Sequence, residues 1–82
     1  MAREIIFERV QEVFRDVFDR KDMAITNETS ALNTKGWDSL NHIILIGAIE
    51  SEFDVRFSLG EISELKDVGG LVNIISQQVS DR

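Results

Sequence analysis

Two side chains in the middle of the chain are of a type and spacing that could do chemistry: Ser39 and, three residues on, His42. Residues three apart on a helix are neighbours, so an imidazole there could act as base for a serine nucleophile. Nothing nearby in sequence supplies an orienting acid or an oxyanion hole, and the chain offers no evident pocket, so a hydrolytic dyad has little support. The same Ser stands where a helix begins. There it could serve as an N-cap, or present its hydroxyl beside free amides that favour a phosphate or phosphodiester. Asp38 is an equally good cap for the same helix.

The helix that follows Ser39 is unusually apolar. Every residue from Ile43 to Ile49 is hydrophobic or Gly. Leu45, Ile46, Ile49 and Phe53 fall on one side and suffice for a core seam, whereas Leu40, Ile44 and Gly47, spaced 4 and 3, share another face. Either the helix is buried all round, or that second face is a strip awaiting a partner.

The elements that must position these residues are helical. Ile6, Val10, Val13, Phe14 and Val17 repeat at helical spacing over residues 3–18, with Glu8, Arg9, Glu12, Arg15 and Asp16 on the wet side. About twenty residues of connection follow, long for a small domain, with Ile25 and Leu32 expected to anchor it to the core. The central helix runs to about Phe53. Ser58 and Glu61 form a capping-box pattern that opens a short helix carrying Ile62 and Leu65. Asp67 caps the last helix, in which Val68, Leu71, Val72, Ile75 and Val79 form the apolar face. No stretch alternates as a strand. The expected fold is all-α: a single domain over 1–82, a small four-helix bundle with a long first loop and a short third helix.

Composition narrows the function further. At 82 residues the chain buries only roughly 60–65% of its unfolded surface, which makes a self-contained enzyme improbable. There is no Cys and one His, so disulfides, thiolate metal centres and zinc spacings are absent. The net charge of −6 disfavours nucleic acid and favours basic protein partners. Residues 1–22 carry five basic and six acidic side chains against four and nine in residues 23–82. The second half, with Asp38, Glu50, Glu52, Asp54, Glu61, Glu64 and Asp67, is therefore the acidic face, either a solvated surface or a docking rim. Asn27-Glu28-Thr29 matches a glycosylation acceptor, but charges run through the N-terminus and the longest apolar run is far short of the ~20 residues of a membrane span. A cytoplasmic monomer is expected.

Gly36-Trp37-Asp38-Ser39-Leu40, the apolar helix ending Ile49-Glu50-Ser51-Glu52-Phe53-Asp54-Val55, then Ile62-Ser63-Glu64-Leu65 and Asp67-Val68-Gly69-Gly70-Leu71-Val72, together resemble the acyl carrier proteins. The likeness covers nearly the whole chain in order and spacing. It implies that Ser39, flanked by Asp38 and Leu40, is esterified to 4′-phosphopantetheine. The group would come from coenzyme A, transferred by a separate magnesium-dependent phosphopantetheinyl transferase. Acyl groups would then ride as thioesters to acyl-loading and acyl-processing enzymes of fatty-acid, polyketide or related specialised biosynthesis, the chain itself catalysing nothing. Asp38 would cap the helix or help place the transferase's metal. Leu40, Asn41, Ile44, Gly47 and Glu50 would be the partner-binding residues, and Ala48, Ile49, Phe53 and Ile62 would line any space for cargo. Trp37 would pack over the loop or stack against the arm.

There are departures from the family pattern. Housekeeping fatty-acid carriers usually place acids where Asn41 and Ile44 stand, His42 is less usual, and the segment after Phe57 lacks a common Pro, which points to a specialised member. Two other readings stand beside it. One is a helical interaction module with no prosthetic group, in which Ser39 is only a cap; the other is an aminoacyl or peptidyl carrier.

Overall fold

The apolar stripe of residues 3–17 has nowhere to go but against another stripe, and it meets two. The computed structural model describes residues 1–80, with four helices and no strand among them: α1 (Arg3–Val17), α2 (Ser39–Phe53), α3 (Leu59–Glu64) and α4 (Val68–Ser80). Ile6, Val10, Val13 and Phe14 of α1 are buried against Leu45, Ile46, Ile49 and Phe53 of α2 and Val68, Leu71, Val72 and Ile75 of α4. Each such side chain contributes roughly 1.5–3 kcal/mol on leaving water, set against the entropy of ordering the chain. The fold expected from periodicity is the fold observed.

Charge and aromatic contacts fix the α1–α2 register. The Arg9 guanidinium donates to Glu52 Oε2 at 2.7 and 2.9 Å and to the Glu52 carbonyl at 3.0 Å, while lying 4.7 Å from the centre of the Phe53 ring. Both charged groups are more than a third exposed, so this tie orients the helices more than it stabilises them.

The long connection corrects one expectation. Ile25 is buried, and its amide donates to Gln11 Oε1 at 3.0 Å, but Leu32 is fully exposed. Hydrogen bonds hold the second half of the loop instead. Thr29 and Asn27 carbonyls accept from the Val68 and Gly69 amides at 2.9 and 3.0 Å, which satisfies two of the free donors at the start of α4. Gly69 fits closely there: a Cβ would stand 3.2 Å from the Asn27 oxygen, so the neighbouring backbone would have to give way. Leu32 lies within a turn in which the Asn33 amide donates to the Ser30 carbonyl and the Ser30 amide donates to Asn33 Oδ1. A turn tip closed by its own polar groups has no route to the core.

Local chemistry ends and begins the remaining helices. Asp54 adopts a left-handed conformation (φ 54°, ψ 50°) that stops α2, with the Val55 amide donating to the Glu50 carbonyl. Ser58 and Glu61 exchange both bonds of a capping box, at 3.1 and 2.8 Å. Leu65 follows α3 as its C-cap instead of lying within it. Asp67 Oδ1 accepts from the Gly70 amide at 2.8 Å to open α4.

Candidate functional site

The turn before α2 is locked before the helix begins. Gly36 has φ +91°, a region in which side chains are strained. Its carbonyl accepts from Asn41 Nδ2 at 2.7 Å, while Arg20 donates to the Lys35 carbonyl at 3.0 Å and the Trp37 amide to the Thr34 carbonyl at 3.2 Å. Trp37 then turns inward. It is buried, edge-on to Phe14 with ring centres 5.3 Å apart, and its indole N–H donates to His42 Nδ1 at 3.0 Å. Trp37 therefore packs as structure.

Asp38, in extended conformation, is the N-cap: its Oδ1 accepts from the Asn41 amide at 2.9 Å and its carbonyl from the His42 amide at 2.8 Å. Ser39 is thus the first helical residue, not the cap. Its side chain is exposed, and its hydroxyl makes no hydrogen bond with any described residue. The amides of Ser39 and Leu40, at the head of the helix, have no intrahelical acceptor. A free hydroxyl beside two unpaired amides is an arrangement that a phosphodiester can occupy. His42 offers no dyad, since its Nδ1 is already accepting from Trp37.

Beside Ser39 lies a cleft of about 540 Å³ between α2 and α3, lined by Ala31, Trp37, Asp38, Ser39, His42, Ile43, Ile62, Ser63 and Leu65. The residues expected to line a cargo space do not share one. Ile49 and Phe53 are in the closed core, Ala48 lines a separate groove with Arg9 and Val13 on the α1 side, and Ile62 alone reaches the cleft. Axial distance explains the difference: Ile49 and Phe53 follow Ser39 by ten and fourteen residues, roughly 15 and 21 Å along the helix, and lie inside the closed core there.

On the outer side, Leu40 (67% exposed), Ile44 (48%) and Gly47 form the strip expected from their spacing, and Ile43 (69%) extends it. Ile43 was within reach of the sequence reading, through its place in the apolar run and its position four residues after Ser39. A Cβ on Gly47 would meet nothing within 4 Å. No acid stands in the first turn of α2. Asn41 is half-buried and its amide is spent on Gly36, and Glu50 Oε2 accepts from the Phe57 amide at 2.9 Å, so both carry structural duties as well. The acidic half is likewise busy: Asp38, Glu61 and Asp67 cap helices and Glu52 pairs with Arg9. Their charges remain, but their positions are dictated by the fold.

The chain matches the family model described as phosphopantetheine attachment site over residues 8–75. It is 31% identical over 77 residues to an acyl carrier protein of Clostridium acetobutylicum, covering 94% of this chain and all of that one. It is 30% identical over 80 residues to an acyl carrier protein of Petrotoga mobilis, covering 98% and 94%. The structure superposes on the solution structure of a holo acyl carrier protein from Geobacter metallireducens with a TM-score of 0.86 at 36% identity, covering 92% of this chain and 86% of that one. An exposed, uncapped hydroxyl at the head of an apolar helix, in a chain that matches these carriers nearly end to end, places the protein in the acyl carrier protein family, whose members bear a phosphopantetheine prosthetic group and carry acyl intermediates.

Proposed function

We propose that Ser39 is the attachment point of the phosphopantetheine arm, with Asp38 and Leu40 as its immediate supports. One observation carries this reading: the capping work at α2 is done by Asp38, which leaves the Ser39 hydroxyl exposed and without a hydrogen-bond partner among the described residues. It also weighs against an interaction module in which Ser39 is merely a cap. When bound, the group supplies a thiol on a long flexible arm, able to hold an acyl chain as a thioester. What the chain's own residues do is local. Asp38 and Asn41 hold the turn still, Ser39 offers its oxygen to phosphorus, and the open amides of Ser39 and Leu40 receive the negative charge of the resulting phosphodiester. Attachment would join the Ser39 oxygen to phosphorus of coenzyme A, with loss of the serine proton and of 3′,5′-ADP.

The partners are a phosphopantetheinyl transferase and acyl-processing enzymes, met through Leu40, Ile44 and Gly47, with Ile43 beside them and Asn41 and Glu50 at the margins. The protein acts as a carrier and not as an enzyme, works as a monomer in the cytoplasm, and serves a specialised pathway. Support for the last point is the absence of any acid in the first turn of α2, with exposed Leu40, Ile43 and Ile44 as the main surface there and just beyond. Such a surface gives weak long-range steering, so association with generic synthases is slow.

Incubating the apo protein with coenzyme A, magnesium and a broad-specificity phosphopantetheinyl transferase, followed by intact mass, tests the proposal. A mass addition that vanishes in Ser39→Ala is expected. A folded protein that gains no mass would overturn it.

A further inference from the structure

His42 accepts from the N–H of buried Trp37 through Nδ1, but neither capping nor core packing uses its other nitrogen, Nε2. It stands one helical turn after Ser39, a spacing that sets side chains roughly 5–6 Å apart at Cβ, and both line the α2–α3 cleft. An indole N–H can only donate, so the 3.0 Å bond from Trp37 Nε1 requires His42 Nδ1 to be an acceptor and leaves the ring proton on Nε2. The imidazole and indole planes lie within 24° of each other, with 6.0 Å between centres, so the two rings sit nearly side by side. Trp37 in turn is wedged against Phe14 and Phe18, at 5.3 and 6.4 Å. The result is a half-buried imidazole of fixed orientation and fixed tautomer, whose Nε2–H makes no hydrogen bond with any described residue.

We propose that His42 is a binding residue for the prosthetic arm, donating from Nε2–H to the phosphodiester on Ser39, and that Trp37 is the positioning residue that holds it in the donating tautomer. This rests on the assignment of Ser39 as the attachment point. A phosphodiester is an acceptor-only anion, and the carboxylate next to it, Asp38, repels it while spending Oδ1 on the Asn41 amide. A pre-oriented neutral donor one turn away counters that repulsion and fastens the root of the arm on the cleft side of α2. The ordering cost of such a donor is met within the fold, by Trp37, before the arm arrives.

Long-range ¹H–¹⁵N imidazole spectra of apo and holo protein test this, recorded at a pH where an ordinary histidine is neutral, alongside ³¹P spectra of the holo form and its variants. The expected result is an Nε2–H tautomer in both forms, with the Nε2 resonance displaced on loading and Nδ1 nearly still. The ³¹P resonance should shift in His42→Ala and return toward wild type in His42→Gln, whose amide nitrogen reaches the Nε2 position. Trp37→Phe keeps an aromatic side chain, smaller than indole, but removes the donor, and should yield a mixture of tautomers at His42. An Nε2 resonance identical in apo and holo protein, with a ³¹P resonance indifferent to His42→Ala, overturns the proposal. Intact mass separates the two levels: no arm on wild-type protein removes the Ser39 assignment, and with it this one, whereas an arm present beside an unmoved Nε2 removes this one alone.

Discussion

Replacing Gly47 by Ala should make the protein more stable, by about 0.5–1 kcal/mol. Gly47 lies in the middle of α2, where an Ala loses less backbone freedom on folding and forms helix better. Such gains are often cancelled by collision of the new methyl with a neighbour. Here there is none, since a Cβ at this position meets nothing within 4 Å. Gly69 supplies the opposite case on the same chain: its Cβ would stand 3.2 Å from the Asn27 carbonyl oxygen and 3.3 Å from Asn27 Cβ, and the backbone bond between the two segments would have to lengthen. Gly69→Ala should therefore be neutral or destabilising. Urea denaturation followed by Trp37 fluorescence and by far-ultraviolet circular dichroism is the assay. With a slope of about 1 kcal/mol per molar, the Gly47→Ala midpoint should rise by about 0.5–1 M, and the melting temperature by roughly 2–8 °C. A midpoint at or below wild type with unchanged slope would refute the reasoning, because it would mean that Gly47 serves the isolated fold. If the gain is seen, the glycine costs the free protein stability, and its use must lie with a partner whose surface approaches the α2 backbone closely.

The division of labour at α2 gives a second test: Asp38→Ala should lose about 1 kcal/mol with its cap, whereas Ser39→Ala should stay within roughly 0.5 kcal/mol of wild type in the same denaturation assay. Phe14→Ala, at the centre of the aromatic cluster with Phe18 and Trp37, should cost about 3–5 kcal/mol and leave little or no cooperative transition. Leu32→Asn, at a fully exposed turn, should shift the melting temperature negligibly by calorimetry. Raising salt should slow Ser39 modification little in single-turnover mass kinetics, because apolar side chains dominate the strip beside it; a steep fall with ionic strength would restore charge as the main recognition device.

Much of the fold was legible because its signals are local. The apolar faces of α1 and α4 recur within two turns, and Ser58 and Glu61 find each other within one, so no distant information is needed. The second face of α2 was legible for the same reason. Leu32 was misread because an apolar residue in a loop carries no periodicity, and only the turn around it decides which way it faces. The cargo-lining residues failed because phase alone does not decide access: Ile49 and Phe53 continue the stripe of His42 but sit roughly two and three turns farther along α2, inside the closed core. The choice between Asp38 and Ser39 as cap turned on extended backbone at Asp38, which either residue type would have allowed. The Trp37–His42 bond joins a loop residue to a helical one five positions on, and the tie from Phe57 to Glu50 crosses a helix end; both depend on how chain direction changes between them.

The clasp of Asn27 and Thr29 on the first amides of α4 divides the connection between α1 and α2 into two spans, which Arg20 ties together again through the Lys35 carbonyl. Only the second, from Ser30 to Asp38, delivers the modifiable serine, and it is too short to wander. Sequence inserted at the Leu32 tip would enlarge a bight already facing water, at an entropic charge that grows only with the logarithm of its length, and would leave Ser39 where it stands. An insertion two or three residues earlier would unfasten the clasp. The tip is thus the natural place to graft a tag or a tether.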